Sequence, residues 1–354
     1  MNTPIKAERL YITELSEEMA ESIHINSLDD DNRRFLPDEV FETVDKARAA
    51  ISTLKDFYTN NDSPLVYAVA LNDGRQIGHV QAVPTPHGWE IGYHIGSTHT
   101  GNGYATEAVR AFLIPIMGRL GISRLYGSIH ADNAASRRVL EKCGFTLEYQ
   151  GDGTFFGMSM HICRYAYSIV KTERLLIRPF SPDDWPGLYD YLSQPQVVEF
   201  EPYEPYSVEA AKHEAIKRSQ DRNFHAVCLK DPFILIGNIY LAERDYNSWE
   251  LGYVFNSLYW HSGYATEAIR ALITQVIKDK PAHRLYALCN PKNERSWRLL
   301  ERLGFRREGH FKQNVYFKKD DSGNPIWQDT FEYGMLADEW DSLIFRKAYR
   351  LKRN

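Results

Sequence analysis

The 354-residue chain lacks the marks of several large protein classes. Its four cysteines, Cys143, Cys163, Cys228 and Cys289, are far apart and have no metal-ligand spacing. That argues against a disulfide framework or a thiolate metal site, so no metal is expected and reduced thiols in the cytoplasm are. No apolar run approaches the ~20 residues of a membrane-spanning helix. The opening MNTPIKAERLYITEL has no apolar secretory core, so neither export nor membrane attachment is expected. Positive charge is not in excess: 42 Lys and Arg stand against 47 Asp and Glu, with a net charge of -5. Nucleic acid is therefore not an expected partner. What is present, 43% hydrophobic and 25% charged residues, is the composition of a soluble globular protein. The length suits two domains better than one core.

Self-comparison shows how the two domains arise. KAERLYITEL at 6–15 matches KTERLLIRPF at 171–180, and EIGYHI at 90–95 matches ELGYVF at 250–255. GYATEA at 103–108 recurs unchanged at 263–268, and NAASRRVLEKCGF at 133–145 matches NERSWRLLERLGF at 293–305. A period of this length is a duplicated domain and not a solenoid repeat. The seam near 168–171 predicts domains 1–168 and 169–354, joined so closely that the halves are expected to pack as a pseudo-dimer.

Each half reads as an opening strand, helices over roughly 17–60 or 183–220, and three strands (LVYAVAL, QIGHVQAV, WEIGYHI; FHAVCL, LIGNIYLA, WELGYVF). A glycine-opened helix follows. Val109, Phe112, Leu113, Ile116 and Met117 share one face of it, as do Ile269, Leu272, Ile273, Val276 and Ile277. Pro115 is expected to bend or shorten the first copy. A further strand and a short helix closed by Gly144 or Gly304, suited to a left-handed cap, complete the unit. The class is α+β, with a mixed, largely antiparallel sheet flanked by helices, in two copies.

A strand, a glycine turn and a helix start together form an anion site, because the first amides of a helix are unpaired and its dipole favours negative charge. Gly101 and Gly103 let backbone approach a phosphate closely. Two familiar phosphate motifs are excluded. A dinucleotide fingerprint needs glycine where Thr106 stands, and a P-loop needs lysine where Asn102 stands. A plain strand-to-helix turn remains the alternative reading of the spacing.

GYHIGSTHTGNGYATEA and GYVFNSLYWHSGYATEA resemble the acyl-CoA-binding motif of the GCN5-related N-acetyltransferases (GNAT). The TERLLIRPF openings, the NxxS helix and the ending GFRREGHF…WQDTFEYGML resemble the ribosomal-protein N-terminal acetyltransferase branch. The resemblance covers both halves and implies acetyl-CoA as cofactor. It places the CoA pyrophosphate on the backbone of Thr98–Gly103, with Gly101, Asn102, Gly103, Tyr104, Ala105 and Thr106 as binding residues. Thr98 replaces the family's Gln or Arg. The second turn departs further, with Leu258 at that position and His261 at the first glycine, followed by Ser262, Gly263, Tyr264, Ala265 and Thr266. His261 could clash with the pyrophosphate or swing aside and donate to it, and weaker binding is the expectation. The strand before each turn, Tyr93, His94, Ile95 and Gly96, or Tyr253–Asn256 with Val254 and Phe255, is implied to face the pantetheine arm and to splay from its neighbour.

Acetyl transfer needs a neutral amine, so a carboxylate that accepts its proton is sought. The resemblance points to Glu90 and Glu250, with a solvated strand glutamate as the alternative. It also points to Ser136 and Ser296 as hydroxyls for the leaving sulfur, against serines that only satisfy their helix ends. Asn133 and Asn293 are expected to cap those helices, and in the family that position also contacts cofactor. No serine or cysteine triad is evident, which fits direct attack in a ternary complex. The acceptor, a protein N-terminus or a small amine, is expected near 27–39 and 193–205, where Asp29, Asp30, Asp31, Glu201 and Glu204 would suit a cationic amine but read rather as solvated loop charge. One half, more plausibly the second, could instead be a non-catalytic acyl-CoA-binding or scaffold domain.

Overall fold

The computed structural model describes residues 4–340 and 342, except 36, 61, 156 and 157. Of the two expected domains, residues 1–3 and 343–354 therefore lie outside the described residues. The chain divides into two compact units, Met1–Ser168 and Ile169–Asn354.

In the first unit, β1 (Ile5–Lys6) and β2 (Leu10–Glu14) precede α1 (Ala20–Ser27), α2 (Asp30–Phe35) and α3 (Val44–Asp56). Then come β3 (Leu65–Leu71), β4 (Gln76–Thr85), β5 (Gly88–Ile95), α4 (Tyr104–Arg119), β6 (Arg124–His130), α5 (Ala134–Lys142), β7 (Thr146–Phe155) and β8 (Met158–Ser168). The sheet runs β1-β2-β3-β4-β5-β6-β8-β7, and only β5 and β6 pair in parallel.

The second unit repeats the plan. It has β9 (Val170–Lys171), β10 (Leu175–Pro179), α6 (Trp185–Leu192), α7 (Pro195–Val198), α8 (Val208–Gln220), β11 (Phe224–Leu229), β12 (Leu235–Arg244) and β13 (Ser248–Phe255). It closes with α9 (Tyr264–Asp279), β14 (Arg284–Cys289), α10 (Glu294–Leu303), β15 (Arg306–Lys319) and β16 (Pro325–Leu336). Its sheet has the matching order, and β13–β14 is its parallel pair.

The apolar stripe of α4 does what its spacing predicts. Phe112, Leu113, Ile116 and Met117 are buried, with the Tyr67 ring 5.4 Å from that of Phe112. Each such side chain contributes about 1.5–3 kcal/mol by leaving water. That burial outweighs the hydrogen bond lost at Pro115, so α4 is not shortened: it has 16 residues, as does α9, which lacks the proline. Gly144 and Gly304 take left-handed conformations, φ 85° and 96°, after their helices.

On β11, His225 is enclosed between Pro179 and Ile239. Burial lowers its pKa to about 4, with Asp221 opposing and Lys280 adding to the effect. The unfolded imidazole titrates near ~6.5, so between those values the unfolded chain binds the extra proton and stability falls as pH falls. Chemical denaturation from pH 7 to 4 is expected to show a loss of up to about 3 kcal/mol from this group. His225→Gln should flatten that part of the profile; an unchanged slope would show that His225 does not carry it.

Candidate functional site

The glycine turns are built alike in both units. Gly103 and Gly263 precede their helices at φ 80°, and Gly101 is left-handed at φ 79°. His261 takes the same kind of backbone, φ 63°, at the strain cost a side chain meets there. A Cβ placed on Gly101 would meet nothing within 4 Å, and the His261 side chain is exposed. The backbone thus turns the same way at His261 as at Gly101. The first amide to bond within each helix is that of Glu107 or Glu267, to Gly103 or Gly263. Among the described residues, the amides from Gly101 to Thr106 and from His261 to Thr266 have no acceptor, as an anion site requires.

Each turn is held by an arginine whose role the sequence did not disclose. Arg9 donates to the Asn102 carbonyl at 3.0 Å, pairs with Glu107 at 2.7 Å and lies 4.7 Å over the Tyr104 ring. Arg174 repeats this with Ser262, Glu267 and Tyr264 at 3.0, 2.6 and 4.3 Å. Binding the carbonyl of the residue before Gly103 or Gly263 orients that peptide. The one signal was that ERL and GYATEA recur together. Thr98 contributes no reaching side chain, since its hydroxyl sits 2.9 Å from His99 Nδ1.

The strands before the turns do splay. Pairing between β5 and β6 is confined to Glu90 opposite Tyr126, and between β13 and β14 it ends at Glu250 opposite Tyr286. Beyond these points the backbone of Ile91–Ile95 and Leu251–Phe255 has no partner on the β6 or β14 side, leaving main-chain groups for a ligand. Across the gap, Tyr93 donates to the Ser136 carbonyl and Tyr253 to that of Ser296, each at 3.0 Å. Burial pushes both phenols well above their usual pKa, so they stay protonated. Asn133 and Asn293 cap α5 and α10 by accepting from the Ser136 and Ser296 amides. The Ser296 hydroxyl lies 3.0 Å from the Tyr253 hydroxyl.

The two glutamates sit where the strands part but keep different company. Glu90 accepts from the Ser128 hydroxyl at 2.9 Å. Glu250 is ion-paired with Arg244 at 2.7 Å, and Leu288 stands where the first unit has Ser128. Both are hydrogen-bonded at the point where the strands part.

Correction is needed for the acidic segments. Asp30 and Glu204 are exposed, and the side chain of Asp31 is outside the described part. Asp29 and Glu39, however, are only 12% and 20% exposed. Asp29 meets His94 Nε2 at 3.1 Å; Glu39 lies 3.0 Å from His79 Nε2 and accepts from Gln81 at 2.6 Å. Burial would raise the Glu39 carboxyl, but His79 and Gln81 outweigh it and hold it below the usual value. Burial and His79 lower the pKa of His94. By strand alternation these imidazoles share the β4–β5 face with Glu90. Among the described residues no group is arranged to hold a metal.

Glu201 is also enclosed. It lines a cavity of about 1060 Å³ in the second unit that also reaches Glu250, Tyr253, His261, Gly263 and Ser296. That cavity joins the turn, the splay and the segment around Glu201–Tyr206 in one space.

Comparison with known proteins follows the same division. A profile described as an acetyltransferase (GNAT) domain matches residues 9–146 and 174–306. YnaD of Bacillus subtilis (strain 168), described as an uncharacterized N-acetyltransferase, is 37% identical over 177 residues, 49% of this chain and 99% of that protein. A GNAT-family acetyltransferase structure from Bacillus anthracis is 33% identical and covers 48% of this chain and 99% of its own, with a TM-score of 0.44. The ribosomal L7/L12 alpha-N-protein acetyltransferase RimL, solved in complex with coenzyme A, is 19% identical over 46% of this chain and 97% of its own, TM-score 0.41.

Proposed function

Because this chain belongs to the GNAT acetyltransferase family through both of its halves, we propose that each unit moves an acetyl group from acetyl-CoA to a primary amine by direct attack in a ternary complex. The observation that carries this reading is the coincidence, in both units, of unpaired turn amides with a splayed strand that leads to a glutamate. The residues fit the cofactor: the turn amides are unpaired and available to an anion, and the space beside Gly101 is open. When bound, acetyl-CoA supplies an activated thioester.

The chain's own residues do the rest. Backbone along Tyr93–Gly96 and Tyr253–Asn256 orients the acyl arm, and Glu90 accepts the amine proton as attack proceeds. Ser128 holds the Glu90 carboxylate toward the splay. In the second unit Tyr253 and Ser296 form a hydroxyl pair placed to donate a proton. Ser136 takes the matching position in the first.

One observation favours a second reading, in which the second unit binds acyl-CoA without turnover: Arg244 occupies the Glu250 carboxylate. Calorimetric titration with acetyl-CoA tests the main reading. Two equivalents per chain are expected, with affinity at the second site unchanged within about twofold by His261→Gly, which relieves about 1 kcal/mol of backbone strain. One equivalent, restored to two by His261→Gly, would show that the imidazole blocks the turn. No binding would remove the enzyme reading of this chain.

A further inference from the structure

The acceptor ends of the two units are chemically different, although the units share a fold. Four residues before the helix N-caps Thr43 and Ser207, the first unit has Glu39 and the second Tyr203; six before, the first has Pro37 and the second Glu201. Facing them, His79 on β4 stands in the place of Asn238 on β12. The imidazole–carboxylate cluster of the first unit is thus absent from the second, and an aromatic box with Glu201, Glu214 and Asp221 around it replaces it.

That box has a definite charge pattern. Arg218 is the buried cation of the acceptor end, 3% exposed, and it is spent within the protein. Its Nε donates to Glu214 at 2.8 Å and its Nη1 to Asn238 at 2.9 Å, while the guanidinium lies 4.6 Å over the Phe224 ring. Tyr191 fills the remaining demand of the Asn238 oxygen at 2.8 Å. Lys217 is 65% exposed and leans toward Glu214 at 3.9 Å. Asp221 accepts from the Asn223 amide. Glu250 is neutralised by Arg244. Glu201, like Asp221, has no ion-pair partner among the described residues, and its hydrogen-bonding neighbour is the Tyr203 side chain, which leaves its charge unbalanced at this end.

Two ring pairs form the walls, Tyr203 with Tyr206 at 5.1 Å and Phe224 with Tyr240 at 4.9 Å. Such walls attract an organic cation by its apolar body and by the ring faces. The cavity also carries Arg295, Arg302 and the Arg298–Glu294 ion pair, a net positive group that contrasts with the acidic end at Glu201.

We infer that the second unit accepts a primary amine carried on an apolar, aromatic or aliphatic, body without a carboxylate, captured as its ammonium by Glu201 between the tyrosine and phenylalanine walls. A carboxylate on the acceptor finds no uncommitted cation at this end, and it would lie against Glu201. Burial raises the Glu201 carboxyl above its usual value, which a cation entering beside it would reverse. The inference rests on the acetyltransferase reading of the second unit.

The experiment uses the full chain saturated with coenzyme A, titrated by calorimetry with 2-phenylethylamine and with phenylalanine, which differ by the carboxylate. Phenylethylamine is expected to bind at least tenfold more tightly. Glu201→Gln should abolish one class of phenylethylamine sites or weaken it at least tenfold, with acetyl-CoA stoichiometry and thermal midpoint retained. Equal affinities for the two probes in the unaltered protein would overturn the inference without recourse to any variant. So would an unchanged titration in Glu201→Gln. A synthetic peptide acetylated at its N-terminus by the second unit with higher kcat/KM than phenylethylamine would also overturn it, in favour of a protein acceptor. Loss of acetyl-CoA binding in the unaltered chain would instead remove the underlying acetyltransferase reading.

Discussion

Replacing Glu90 with Gln is expected to lower the acetyl-transfer rate of the first unit by about 10²–10⁴, the usual contribution of a positioned proton acceptor. Glutamine keeps the size of the side chain and can still meet the Ser128 hydroxyl, but it cannot take a proton from the attacking amine. Acetyl-CoA affinity should be unchanged, because the turn amides and the backbone of Tyr93–Gly96 are untouched. The full chain carries two candidate centres, so thiol release should be compared in Glu90→Gln, Glu250→Gln and the double variant. Glu250 is held by Arg244, and its single replacement is expected to cost less, about tenfold or under. The double variant should lose roughly tenfold or somewhat more, its remaining rate being that of the second unit. A double variant within threefold of the unaltered rate would show that neither carboxylate takes the proton. A Glu250→Gln variant at full rate beside a strongly impaired Glu90→Gln would support the reading of the second unit as a non-catalytic domain.

Gly78→Ala is expected to reach acetyl-CoA binding through backbone that never touches the cofactor. Gly78 lies on β4 opposite Ile95, and a Cβ there would fall inside the contact radius of the His94 carbonyl oxygen. The obstacle is main chain and cannot rotate away. Either β4 or the end of β5 must shift, and that end of β5 carries the Tyr93–Gly96 backbone and leads into the turn. A destabilisation of about 1–3 kcal/mol is expected from overpacking, with the acetyl-CoA stoichiometry falling from two equivalents to one. Gly237 in the second unit is placed alike, its Cβ position 2.6 Å from the Val254 carbonyl oxygen. Gly118→Ala is the contrast: that helical glycine has nothing within 4 Å, so alanine there should be neutral or slightly stabilising. Urea unfolding and titration of both variants would check the pair. An unchanged stoichiometry in Gly78→Ala would show that the β5 end absorbs the shift without harm to the site.

The features legible in the sequence are those set by short-range physics. Helix periodicity located the buried faces of α4 and α9, because residues three and four apart share a side. The Asn133 and Asn293 caps were readable because a cap acts on amides within three residues of itself. The glycine turns and their recurrence gave the family, since the φ values and free amides they need belong to consecutive residues. Pro115 shows the limit of such local reading, because its effect on helix length was overruled by the burial of its neighbours.

Tertiary structure decided which charges face which. Arg9 reaches Asn102 and Glu107 across more than 90 residues, and Asp29 reaches His94 across 65. Glu90 and Glu250 occupy the same place in the repeat, yet one meets a hydroxyl and the other a guanidinium. Asp29 and Glu201 looked like solvated loop charges and are enclosed, because strands and helices distant in sequence close over them. The energy of a charge depends on its solvent exposure and on partners within a few ångströms, and neither is fixed until the chain has folded. Sequence therefore determined the duplicated fold and the glycine turns, whereas the different partners of Asp29, Glu39, Glu90, Glu201 and Glu250 in the two units were fixed only by three-dimensional packing.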